Sequence, residues 1–283
     1  MNENCEKLIV KNNITLLDFI SLNKQDLSKK KIKQYIKYNM VEVNNKVVTN
    51  SNYELKNKDI VTIYYKRRLI DDVNIDILYE DKDIIVINKP CGLLSISNSK
   101  EKELTAFKLV REYVRSLNPK VYLFVIHRLD EETSGVLMFA KNEKTKKLFQ
   151  DNWNDIVKKR IYLAQVEGTI PNEGKFHTYL KENKLGKVYS SKDKTGKEAI
   201  TLYKVLKKFK DKTLVEVNIL TGRRNQIRVH FSENGNPIIG DKKYGSKVKS
   251  NRMMLHASKL ELIDPRTNKL LIISAKTPEE FYR

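Results

Sequence analysis

The chain has 283 residues, 40% of them hydrophobic, enough for one large domain or two smaller ones. Its 55 Lys and Arg against 35 Asp and Glu leave a net charge of +20, which points to a polyanionic partner; a solvated lysine-rich surface is the plainer alternative. No apolar run nears the ~18 residues of a membrane span, no signal-peptide pattern opens the chain, and Cys5 and Cys91 alone make no disulfide framework or cysteine metal cluster, so a reducing cytoplasm is expected.

The amino-terminal stretch makes its turns without Gly or Pro, since all ten glycines lie between Gly92 and Gly245 and no proline precedes Pro90. ITLLDFISLN and SKKKIKQYIKYN read as two short helices. Ser28 is a candidate N-cap of the second, and Ile32, Tyr35 and Ile36 form its apolar stripe. Lys29, Lys30, Lys31, Lys33 and Lys37 fall largely on its other faces. Asn44-Asn45 between MVEV and KVV predicts a tight hairpin, and DIVTIYY (59–65) alternates like a strand. Residues 1–68 hold 14 Lys/Arg and 7 Asp/Glu. Helix, basic helix and hairpin together resemble the small RNA-binding module named after ribosomal protein S-four, over about residues 14–65. That resemblance implies RNA binding through the five lysines; a solvated helix face is the alternative reading of the lysines alone.

RRLIDDVN reads as the end of this domain and a linker at 69–74, and a second domain is expected over 75–283. It opens with IDILYEDKDIIVINKPCGLL, two short strand-like runs closed by Lys89-Pro90 and Gly92. Two apolar runs, VYLFVI (121–126) and VLMFA (136–140), look like buried strands joined by the polar nonamer HRLDEETSG (127–135). A connection this long exceeds a hairpin turn, which suggests function, although Asp130 could simply cap a turn. The four histidines, His127, His177, His230 and His256, have no zinc-like spacing, so no metal is expected and Asp130 is a candidate nucleophile or base. Further on, TLVEVNIL (213–220) alternates as a strand, and NQIRVHFSEN reads as a helix with Gly235 at its end. Arg228 sits in the first turn of that helix, where the dipole disfavours a cation, so a specific acidic partner would explain it.

These stretches together resemble the RluA-type pseudouridine synthases. The matching elements are Asn88-Lys89-Pro90-Cys91-Gly92-Leu93, His127 to Lys141, Arg160-Ile161-Tyr162-Leu163-Ala164, Thr221 to His230, Gly240-Asp241 with Tyr244-Gly245, and Leu255-His256-Ala257. The resemblance implies an α+β synthase domain on a mixed, largely antiparallel sheet, preceded by the small α/β RNA-binding domain. It implies cofactor-free conversion of uridine to pseudouridine in structured RNA, with large-subunit ribosomal RNA expected ahead of tRNA. Asp130 would be the catalytic carboxylate, Tyr162 would lie against the uracil and help remove the proton at carbon 5, and Arg228 would pair with Asp130. Arg128 would fill the space left by the flipped base, with His127 beside it, since a stacked base must be extruded before it can react. Whether the aspartate attacks the ribose, attacks the ring or removes a ribose proton stays open. Asn225 stands where the family commonly has His, and with Arg224 it is expected to alter RNA contacts; Asp264-Pro265 replaces a common His-Pro. Nothing in the sequence demands more than a monomer. An RNA-binding assembly factor on a disused scaffold and a magnesium-dependent aspartyl phosphotransferase are the rival readings.

Overall fold

The computed structural model describes residues 5–37, 40–48, 50–64, 75–97, 104–193 and 195–283, with the side chains of Gln34, Lys37 and Val47 also left aside. The chain divides into two compact units, Met1–Asn74 and Ile75–Arg283. The expected linker at 69–74 lies outside the described residues.

In the first unit, β1 (Cys5–Ile9) is followed by β2 (Ile14–Thr15), α1 (Leu16–Asn23) and α2 (Lys29–Lys37). Then come β3 (Val41–Val43), β4 (Lys46–Val47), β5 (Glu54–Leu55) and β6 (Ile60–Tyr64). Four strands form an antiparallel sheet in the order β1-β6-β3-β4, and β2 pairs with β5. Both helices start on hydroxyl caps. Thr15 accepts from the Asp18 amide at 3.3 Å and Ser28 from the Lys31 amide at 3.2 Å. Their apolar faces, Leu16, Phe19 and Ile20 on α1 and Ile32 and Ile36 on α2, bury against Val41, Val43, Val61 and Ile63 of the sheet. The β3–β4 turn uses Asn44 and Asn45 at φ +50° and +64°, the left-handed pair that matches hairpin twist. Lys29, Lys30, Lys31 and Lys33 are exposed on α2; nothing is described of the Lys37 side chain.

The second unit begins with β7 (Ile77–Glu80), β8 (Ile84–Lys89), α3 (Ala106–Leu117), β9 (Phe124–Val125) and β10 (Ser134–Ala140). Two short helices, α4 (Glu143–Asp151) and α5 (Trp153–Ile156), lead into β11 (Val157–Glu167). There follow β12 (Glu173–Glu182), β13 (Val188–Ser190), β14 (Lys197–Lys208) and β15 (Lys212–Ile219). The chain closes with α6 (Gln226–Glu233), β16 (Leu255–Asp264) and β17 (Lys269–Ser274). One mixed sheet runs β13-β12-β14-β15-β11-β16-β10-β8-β7, with β17 beside β16 and β9 beside β10. Every pairing of these strands is antiparallel except β10 with β16, where Ser134 faces His256 and Gly135 faces Ala257. This is the mixed, largely antiparallel α+β domain that the sequence led us to expect.

The apolar run 121–126 is not the full strand that its composition suggests. Only Phe124 and Val125 pair, opposite Ala140 and Phe139, and Tyr122 is 68% exposed. One edge of β10 is taken along Gly135–Ala140 by β8, and the other is occupied at Ser134–Gly135 by β16. A short stretch of edge is all that remains for β9.

Candidate active site

The segment from His127 to Thr133 forms one wall of a cleft of about 590 Å³ that also includes Arg160, Tyr162 and the start of α6. Its backbone is pinned on both sides of Asp130. Ser95 grips Leu129 twice, its hydroxyl donating to the Leu129 carbonyl at 2.7 Å and accepting from the Leu129 amide at 3.1 Å. The Thr133 amide closes a turn onto the Asp130 carbonyl at 3.1 Å, so it is the backbone of Asp130, not its carboxylate, that makes the bend. Beyond the turn, Ser134 bonds His256 Nδ1 at 2.8 Å and accepts from the Arg252 guanidinium. Gly135 is required where it stands: its φ is +112°, and a Cβ there would lie 2.1 Å from the Ala257 carbonyl oxygen.

Lys89 holds this loop from below. Although it is fully buried, its Nζ donates to the carbonyls of Pro90 (2.9 Å), Leu93 (2.6 Å) and Glu131 (2.9 Å). Burial lowers its pKa to about 8, against the opposing pull of Cys91, Asp130 and Glu131. The Gly92 amide and the Cys91 thiol donate to the neighbouring carbonyls of Glu131 and Glu132. The Lys-Pro-Cys-Gly turn is thus the buckle of the loop, a role that sequence reading missed. A lysine closing the apolar run IIVIN was the available signal, because a charge at the end of a buried strand needs partners.

Arg228 is buried on α6 and meets two carboxylates. It binds Asp241 in a two-pronged arrangement, Nε to Oδ2 at 2.7 Å and Nη2 to Oδ1 at 2.8 Å, and reaches Asp130 Oδ2 with Nη1 at 3.3 Å. Burial works against its charge, and the bonds to Asp241 more than offset this, raising its pKa. The acidic partner that its helix position called for is therefore principally Asp241, whose role sequence reading missed, with Asp130 as a second, longer contact.

Asn225 adopts the left-handed conformation, φ +53°, just before α6 and is buried. With its amide nitrogen toward the loop it donates to Asp130 Oδ2 at 2.8 Å and Oδ1 at 3.3 Å, while its oxygen accepts from the Tyr244 hydroxyl at 3.0 Å. The opposite orientation would set its oxygen against the carboxylate, so the hydrogen-bond network decides the orientation. This side chain, expected to alter RNA contacts, lines the cleft and faces Asp130. Arg224 beside it is exposed, lines the cleft and pairs with Glu182.

Tyr162 and Arg160 lie two residues apart on β11 and share a face. β11 pairs with β15 in unbroken register through Ile161, Tyr162 and Leu163, while the register shift against β16 places its extra residue, Ser258, on β16. Burial pushes the Tyr162 phenol up to about 12; Arg160 opposes this shift and Asp130 adds to it. Arg160 donates Nη2 to the Leu220 carbonyl at 2.8 Å, and its buried Nε has no hydrogen-bond partner among the described residues. Gly222 makes room for it, since a Cβ there would sit 2.6 Å from Nη1. Of the two residues expected to meet RNA beside Asp130, Arg128 is exposed at the cleft wall. His127 also lines the cleft, but its Nε2 accepts from the Met138 amide at 3.2 Å and its ring lies 5.2 Å from that of Trp153. Burial, aided by Arg160, lowers its pKa to about 4 and leaves it neutral.

A family model for RNA pseudouridylate synthases matches residues 83–233. The chain is 32% identical over 273 residues to an uncharacterized RNA pseudouridine synthase of Bacillus subtilis (strain 168), covering 93% of this chain and 90% of that one. It is 35% identical over 237 residues to the ribosomal large subunit pseudouridine synthase C of Buchnera aphidicola, covering 78% and 71%. Among solved structures, human RNA pseudouridylate synthase domain containing 4 aligns with a TM-score of 0.60 at 25% identity, covering 73% of this chain and 90% of that one. The matched segment runs from the strand that ends in Lys89 to the helix that carries Arg228, and relatives above 30% identity extend over most of the chain: this protein belongs to the RNA pseudouridylate synthase family and is an isomerase that modifies RNA.

Proposed function

We propose that the protein converts specific uridines of large-subunit ribosomal RNA to pseudouridine, with Asp130 as the carboxylate on which the reaction depends. The observation that carries this reading is the environment of Asp130: a carboxylate opening on a cleft, with a buried arginine and a buried amide behind it and Tyr162 lining the same cleft. In the reaction the bond from nitrogen 1 to ribose carbon 1′ breaks and its electron pair stays with the uracil. The ring turns, carbon 5 joins carbon 1′, the proton on carbon 5 leaves and nitrogen 1 takes one up. Nothing is oxidised or consumed.

Asp130 serves this sequence as nucleophile or base. Tyr162, a neutral phenol at physiological pH, is the platform for the uracil ring. Arg160 presents positive charge where the departing uracil gathers electrons and favours the phenolate that Tyr162 becomes on giving its own proton to nitrogen 1, before it takes the proton from carbon 5. Arg128, exposed at the cleft, takes the space of the flipped base, and His127 supports it from a fixed position. The amino-terminal unit acts as an RNA-binding module through Lys29, Lys30, Lys31, Lys33 and Lys37, adding contacts to a large structured target. The preference for large-subunit rRNA is supported by the similarity to the Buchnera enzyme.

Release of tritium from carbon 5 of uracil tests the reading. Large-subunit rRNA, small-subunit rRNA and tRNA, each labelled and unmodified, are treated with wild type and with Asp130→Asn in excess chelator. Release from large-subunit rRNA by wild type alone is expected. Release from tRNA alone would overturn the target, and release by Asp130→Asn would overturn the role of the carboxylate.

A further inference from the structure

Asp130 is the most exposed member of a closed ring of hydrogen bonds beside the cleft. Arg228 bonds both Asp130 and Asp241. Asp241 Oδ1 accepts from the backbone amide of Tyr244 at 3.2 Å. The Tyr244 hydroxyl donates to the Asn225 oxygen at 3.0 Å, and the Asn225 amide returns to Asp130. Arg228, Asp241, Tyr244 and Asn225 are exposed by 7%, 0%, 5% and 8%, whereas the Asp130 side chain keeps 32% of its surface. Four buried groups therefore fix one that faces solvent.

We infer that Asn225 is a positioning residue that holds the Asp130 carboxylate in one rotation and leaves Oδ1 as its reacting oxygen. This rests on the reading of Asp130 as the catalytic carboxylate. Among the described residues Oδ2 receives two donors, Asn225 at 2.8 Å and Arg228 Nη1 at 3.3 Å, while Oδ1 receives only the longer 3.3 Å contact of the same amide. The less encumbered oxygen keeps its lone pairs for the substrate. The direction of the amide is fixed as well: the Val188 amide donates to the Tyr244 hydroxyl at 3.2 Å, which leaves the hydroxyl proton for the Asn225 oxygen.

Neutrality matters here. Arg228 already divides one positive charge between two carboxylates. A second cation behind Asp130 would bind the carboxylate more tightly and blunt its reactivity, whereas an amide orients it without neutralising it. The backbone also selects this residue type, because left-handed geometry at φ +53° is tolerated by Asn better than by most side chains.

The test compares Asn225→Asp, which keeps shape and backbone preference but loses the donor, with Asn225→Gly, which keeps the backbone alone, and Asn225→His, which restores a ring N–H. Asp130→Asn is run alongside. Single-turnover tritium release is measured on a pool of unmodified rRNA and tRNA, together with RNA affinity and melting temperature. Asn225→Gly is expected to lose about 10- to 100-fold in rate, the weight of one charge-assisted hydrogen bond, and Asn225→Asp, which also sets a second carboxylate against Asp130, at least as much, with affinity unchanged and Asn225→His recovering part of the rate. Asn225→Asp or Asn225→Gly turning over at the wild-type rate while Asp130→Asn is inactive would overturn this inference alone. So would a loss of rate matched by equal losses of affinity and melting temperature. An active Asp130→Asn would instead remove the reading on which it rests.

Discussion

Arg228 makes its two shortest hydrogen bonds to Asp241, at 2.7 and 2.8 Å, and gives Asp130 one longer bond of 3.3 Å. The guanidinium is therefore already fixed, independently of the carboxylate it serves. Such an arrangement pre-organises a site, because the supporting group does not move when substrate arrives.

Removing that anchor has a defined consequence. Asp241→Asn leaves a buried guanidinium with Asp130 as its remaining carboxylate, and breaking a buried pair in this way costs on the order of 3 kcal/mol. Urea unfolding of the second unit is expected to show that loss, and tritium release is expected to fall with it because Arg228 relaxes toward Asp130. Unchanged unfolding would mean that Asp241 is not the anchor.

Lys89→Met replaces the buckle of the loop by an uncharged chain of similar length. Three carbonyls, those of Pro90, Leu93 and Glu131, lose their shared donor. An unsatisfied acceptor costs about 1–3 kcal/mol when fully buried, but these carbonyls are only partly buried and that of Glu131 keeps the Gly92 amide, and some of the cost is recovered because burying the ammonium was itself unfavourable. A net destabilisation of about 2 kcal/mol by chemical denaturation, with a slowed reaction, is the expected result. A variant as stable and as fast as wild type would show the loop to be held elsewhere.

His230 and His256 are both buried and neutral, their pKa values lowered to about 4 chiefly by burial. The unfolded chain binds a proton at each near the ordinary value of about 6.5, so stability is fully present above that pH and is lost as pH falls toward 4. The expected loss approaches about 3 kcal/mol for each ring over that interval. Denaturation midpoints at pH 7, 6 and 5 give the slope, and a flat profile would refute the buried neutral state.

The exposed lysines of α2 make a separate prediction for the first unit. Changing Lys29, Lys30, Lys31 and Lys33 to Ala is expected to weaken RNA binding uniformly and to reduce the slope of log affinity against log salt by roughly 0.7–0.9 for each phosphate that is no longer neutralised. Filter binding across a salt series measures this. A slope equal to that of wild type would make these lysines a solvated face.

Local pattern was enough wherever the physics is local. Ile32 and Ile36 one helical turn apart, Asn44-Asn45 between two β-branched runs, and Ser28 ahead of a helix each specify geometry within a few residues, and the structure has them as read. Motif order was likewise sufficient to bring Asp130, Tyr162 and Arg228 under suspicion, and all three line one cleft. The run at 121–126 was misread because apolar content says that a segment is buried, not that a neighbouring strand has a free edge to receive it. The partners of the site were beyond sequence reading for the same reason. Asp130 and Arg228 are 98 residues apart and Lys89 and Glu131 are 42 apart, so their meeting depends on strand order and register. The sequence alone determined the order of the motifs and the local elements that carry them. Tertiary packing decided which of them touch, because a hydrogen bond across the core depends on distances that only the complete set of sheet pairings fixes.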